Sequence, residues 1–128
     1  MSDDRSEARR ILEEHLARGG FVEDEPLPTS TEALLALAAA ASAEPHRRLD
    51  AALVLALRGD ARAIATCRLV FTESGFAITN SMNELAYASL ALALLGDVEF
   101  LPRIRRSIAI NLNRQAQPIA VRLLSGAS

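Results

Sequence analysis

Apolar residues recur three and four positions apart along most of this chain, the spacing of one face of an α-helix. Ala8, Ile11, Leu12 and Leu16 make one such stripe and predict a helix over 4–18, stopped by Gly19-Gly20. Residues 21–30, FVEDEPLPTS, are acidic with two prolines and read as a linker. A second helix starts at Thr29-Ser30-Thr31-Glu32, a capping box with Thr29 as cap, and runs to about Ala41. Pro45 suits the first position of a third helix, which ends at Arg58. A fourth covers 61–73, and a loop follows at 75–80. Ser81 and Glu84 form a second capping box, opening a fifth helix that ends at Leu95. Leu101, Ile104, Ile108 and Leu112 mark a sixth, with Pro102 confined to its first turn. The seventh spans about 114–125, or begins only at Pro118, and closes at Gly126. The third and fifth helices are apolar on nearly every side, so both are expected at the centre of the fold.

The two central helices belong to a repeated phrase. AALVLALRGDARAI at 51–64 aligns with ASLALALLGDVEFL at 88–101 at an offset of 37. In each copy a glycine ends one helix and an aspartate begins the next, at Gly59-Asp60 and Gly96-Asp97. Self-similarity at such a period marks stacked repeat units.

Half the residues are hydrophobic, but only five are aromatic and none is Trp, so Ala and Leu must fill the interior. This composition favours close helix packing over a β-sandwich. Net charge is −2, divided as −6 over residues 1–44 and +4 over 45–128. That asymmetry steers an acidic partner or matches the acidic N-terminus to the basic C-terminus within the molecule. Every one of the fourteen basic residues is Arg, which reads as base-composition bias. A single cysteine, Cys67, excludes an internal disulfide and argues against a structural metal site. The N-terminus, MSDDRSEARR, has no apolar stretch of the signal-peptide kind, and no run is long enough to span a bilayer. A cytoplasmic location is the expectation.

The phrase AxLALALLGDVEFLPRIRRSI resembles HEAT repeats, in particular the HEAT-like repeats of the phycobilisome lyase type. The likeness rests on Ala93-Leu94-Leu95-Gly96-Asp97 followed by Leu101-Pro102-Arg103-Ile104. Residues 46–66 match less fully, since Ala65 replaces the proline, and 119–126 look like a truncated third copy. The resemblance implies an all-α fold, a short right-handed α-solenoid of six to seven helices. It divides the chain into a capping helix and acidic linker at 1–28 and a repeat domain at 29–128. The units fall at about 29–59, 60–96 and 97–126, and the second helix of each lines a concave face.

Aligned polar positions of the second helices suggest a ladder on that face: Arg47, Glu84 and Arg114; Asp50, Tyr87 and Gln117; His46 and Asn83. Arg47, Asp50, Asn83, Glu84, Tyr87, Arg114 and Gln117 are the candidate partner-binding surface. The bland alternative has Tyr87 packing at the rim while Arg47, Glu84 and Arg114 form inter-repeat ion pairs. Arg103, Arg105 and Arg106 read as a solvated face onto which the acidic 23–25 run could dock. His15 reads as a boundary residue. Neither His15 nor His46 has a carboxylate or cysteine at ligand spacing in sequence, and Cys67 reads as an inert buried thiol. Asp60 and Asp97 are accounted for as helix caps, leaving no catalytic constellation, no metal and no cofactor.

The expected function is therefore a non-enzymatic scaffold or adaptor that binds another protein or peptide. The alternative is an accessory subunit of an enzyme, lyase-like or DNA-repair-like. A base-flipping role needs a basic groove and aromatics that this chain lacks. Nucleic-acid binding is disfavoured, while self-association through the unpaired last helix stays open.

Overall fold

The computed structural model describes residues 3–21, 25–72, 83–108 and 116–126. Every regular element among them is helical. In order these are α1 (Asp3–Ala17), α2 (Thr31–Ala39), α3 (Pro45–Leu57), α4 (Ile64–Thr72), α5 (Asn83–Leu94), α6 (Leu101–Ile108) and α7 (Ala116–Ser125). Short 3-10 turns at Ala61–Ala63 and Val98–Phe100 lead into α4 and α6. Pro102 sits in the first turn of α6 and Pro118 in that of α7, where a missing amide hydrogen costs no helical bond.

Helices α3 and α5 form the middle of the molecule. Leu49, Leu53 and Leu55 on α3, and Leu90 and Leu92 on α5, are wholly buried. Interspersed Ala51, Ala52, Ala88 and Ala91, equally buried, let the neighbours approach closely. α2 and α4 pack on α3, α4 also on α5, and α7 on α5 and α6. α3, α5 and α7 are thus successive neighbours, and α1 packs against all three.

The helix ends follow one geometry. At Gly59 the amide donates to Ala56 O and the Asp60 amide to Leu55 O; at Gly96 the matching bonds reach Ala93 O and Leu92 O. Gly19 and Gly20 repeat the pattern after α1, to Leu16 O and His15 O. Paired bonds of this kind close a helix on a residue with positive φ, and Gly59 (78°) and Gly96 (75°) adopt it. The two sequence copies therefore fold as copies.

Caps differ from expectation at two places. Ser30, not Thr29, caps α2, its hydroxyl accepting from the Ala33 amide at 3.1 Å. Thr29 is engaged elsewhere: its carbonyl accepts from Arg58 at 2.8 Å. Asp60 caps the turn before α4 through the Arg62 amide, but Asp97 makes no side-chain cap bond. Its carboxylate instead takes the Arg68 guanidinium with two bonds, of 2.6 and 2.8 Å. The box with Ser81 lies outside the described residues.

Ala at Gly59 or Gly96 meets no other atom, so each substitution has only the conformational cost of positive φ, about 1 kcal/mol. A Cβ at Gly20 (φ 68°) overlaps the Asp50 carboxylate as well. Urea denaturation should therefore rank Gly20→Ala as clearly more destabilising than Gly59→Ala or Gly96→Ala, with the last two alike.

Candidate functional site

The densest polar chemistry lies inside the molecule, where α1 meets α3 and α5. Asp50, on the first half of α3, is 2 % exposed. Its Oδ1 lies 3.0 Å from His15 Nε2 on α1, and its Oδ2 accepts from the Phe21 amide at 2.7 Å. A buried carboxylate is tolerated only with such partners. The Gly19-Gly20 turn supplies them together: it ends α1 just past His15 and brings the next amide onto the second oxygen.

Rings close over this contact. The His15 imidazole stacks on Tyr87 of α5 at 4.3 Å between centroids. Phe21 tilts against His15 at 4.5 Å, meets His46 at 4.9 Å and touches Tyr87 edge-on at 5.8 Å. His46 in turn places Nε2 2.7 Å from Glu84 Oε2 and Nδ1 3.3 Å from Glu44 Oε1. Two histidine–carboxylate pairs from α1, α3 and α5 thus share one aromatic patch. Both histidines have carboxylate partners, and His15 is buried rather than at the boundary where the sequence placed it. Asp50 and Glu84 stand 35 and 38 residues from their histidines, beyond any local spacing rule.

The candidate ladder divides accordingly. Asp50, Glu84 and Tyr87 come together in this cluster, and Gln117 is buried on α7. Arg47 does not join them. Its guanidinium holds the linker, donating to Glu25 O at 2.7 Å and Pro26 O at 3.3 Å, with the Glu25 carboxylate 3.5 Å away. Glu25 therefore docks on Arg47 and not on the run at 103–106. Arg114 and the side chain of Asn83 lie outside the described residues. Asp50, Glu84, Tyr87 and Gln117 are thus buried in an interior seam and not on an open face, because α1 lies against the helices that carry them.

α1 is tied down by charge at its other end. Arg5 donates to Leu94 O at the C-terminus of α5 (3.3 Å), and Arg9 to Leu57 O at the C-terminus of α3 (3.0 Å). Both cations sit at the negative ends of helix dipoles. Asp4 takes the Arg122 guanidinium of α7 through two bonds, of 2.9 and 3.0 Å, and that contact holds its carboxyl below the usual range. One acid of the N-terminal segment is thus paired with one arginine of the last helix.

Two open hollows lie elsewhere. One of about 540 Å³ runs between α2 and α4, lined by Leu35, Ala39, Ala65 and Leu69 with Arg48 and Arg62 beside them. Arg48 donates to Ala38 O, and Arg62 is held by Asp60 at 2.8 Å. The other, of about 350 Å³, lies between Leu16, Val54 and the linker. Among the described residues no group of His, Cys, Asp and Glu is placed to hold a metal ion. None of their helices is long and apolar enough to cross a membrane.

The fold is thus an all-helical one with a polar seam under its first helix. Comparison with protein families, curated proteins and solved structures finds no match for the chain.

Asp50→Ala strands the His15 ring and the Phe21 amide without their acceptor and should cost about 2–4 kcal/mol in urea denaturation. Tyr87→Ala, which removes a buried ring, should cost a similar amount. Burial, with the nearby Asp97 carboxylate second, pushes the Cys67 thiol up to about 12 from an ordinary 9.0. The folded state keeps a proton that the unfolded chain gives up, so this contribution is complete below pH 9 and fades as pH rises toward 12. Cys67→Ala should flatten the alkaline fall in stability over that window, and thiol reagents should modify Cys67 only on unfolding.

Proposed function

We propose that this chain is a non-catalytic protein-interaction module built of HEAT-like helical pairs, a short right-handed solenoid whose second helices form a receiving face. The units are α2/α3, α4/α5 and α6/α7, and α3, α5 and α7 carry the face. The duplicated glycine–aspartate corners and the succession of α3, α5 and α7 support the repeat reading. One observation carries the functional one: those three helices jointly accept a single amphipathic helix, α1, as a ligand helix lies in a groove. The partner is another protein or peptide. No cofactor enters this role, and the reaction chemistry of an enzyme has no part in it.

A receiving face has to open without the whole protein unfolding. Hydrogen exchange read by mass spectrometry on the intact chain tests this directly. Amides of α1 should exchange far faster than those of α3 and α5, through a local opening. Equal protection in all three, set by global unfolding alone, makes α1 permanent core and ends the proposal.

A further inference from the structure

The contacts of α1 describe what the face recognises, given the receiving role above. We propose that α1 is a tethered stand-in for a partner helix of the same chemistry: an amphipathic helix with two arginines four residues apart that reach α3 and α5. The two cations meet the carbonyl ends of α3 and α5, as Arg9 and Arg5 do. Between and beyond them come a small residue, a leucine and a histidine, at the positions of Ala8, Leu12 and His15, all buried. The histidine finds the Asp50 carboxylate, and an acid before the first arginine finds Arg122.

Three features favour displacement over permanent closure. First, α1 buries only Ala8, Leu12 and His15, whereas α3 buries seven residues including Leu49, Leu53 and Leu55. Leu12 is its one fully buried large aliphatic residue, with Ile11 and Leu16 half-buried against the core. Second, α1 holds its own helical shape: on its outer face Arg10 pairs with both Glu7 and Glu14, one turn away on either side. Such pairs favour the helical form of the segment by itself. Third, the face is electrostatically suited to cations, since it joins two helix C-termini to the buried Asp50 and Glu84 carboxylates.

The tether explains why such a groove stays closed by default. A short linker keeps α1 at an effective concentration in the millimolar range, so a competing helix sees an affinity reduced by the fraction of open molecules. Only a partner that binds more tightly, or is itself multivalent, displaces it.

The test uses the full chain and a fluorescein-labelled peptide of residues 3–21, followed by anisotropy. The host is wild type, Leu12→Asp, or Asp4→Arg, which breaks the exposed pair with Arg122 and leaves the buried contacts alone. Both variants should bind the peptide at least about tenfold more tightly than wild type does. A peptide with Arg5 and Arg9 changed to Glu should lose at least about tenfold in affinity for the same hosts. Equal binding to wild type and both variants places the peptide elsewhere and overturns the proposal, as does indifference to the arginine reversal. Circular dichroism accompanies each titration. A Leu12→Asp chain that has lost its helical signal and regains it with the peptide supports the proposal; one that does not regain it counts against it. Fast exchange of α1 without peptide binding defeats this proposal alone. Slow exchange matched to α5 defeats the receiving role beneath it.

Discussion

One buried carboxylate organises the centre of this protein. Asp50 lies on α3, out of water, and is held there by an imidazole from α1 and a backbone amide from the turn after it. Burial makes the arrangement exacting, because an unpaired charge in the interior is far more costly than a surface one. The length of α1, the two glycines that follow it, the stacking of His15 on Tyr87 and the path of Phe21 all converge on those two oxygens. Gly20 can be nothing larger because a Cβ there would overlap them.

The second constraint is the treatment of helix ends. Helices of eight to fifteen residues leave a large share of their carbonyls without internal partners. Arginines from neighbouring helices satisfy several: Arg5 at α5, Arg9 at α3 and Arg48 at the last turn of α2, with Thr66 adding a second bond to Ala38 O. Arg68 and Arg122 use the guanidinium fork differently, each clasping one aspartate with two bonds. The planar fork makes these contacts in a way that a lysine ammonium does not. An arginine-only complement is therefore put to structural use here, whatever set the codon choice.

Much of the helical layout was legible in the chain. The repeated phrase placed both glycine–aspartate corners, and each folds with the same pair of closing bonds because glycine alone enters positive φ without strain. Prolines 45, 102 and 118 fell in first turns for the reason the chemistry requires. The polar register positions Asp50, Glu84 and Tyr87 were also visible as a set, since polar groups on otherwise apolar helices stand out. The diversion of Asp97 to Arg68 was not, because it was decided by an arginine arriving from another helix, and the cap of α2 fell one residue later, on Ser30.

What the amino-acid sequence determined by itself is everything that depends on neighbours within a turn or two: where helices start and stop, which of them are apolar all round, and that two segments are copies. Tertiary structure alone decided what lies on the polar seam. Nothing in residues 3–17 taken singly announces that His15 faces Asp50, or that Arg5 and Arg9 reach Leu94 and Leu57. Those contacts join residues 35 to 89 positions apart, and such partners meet only after the hydrophobic faces have chosen their packing. A stripe of apolar residues states that a helix must be covered; it does not state by what.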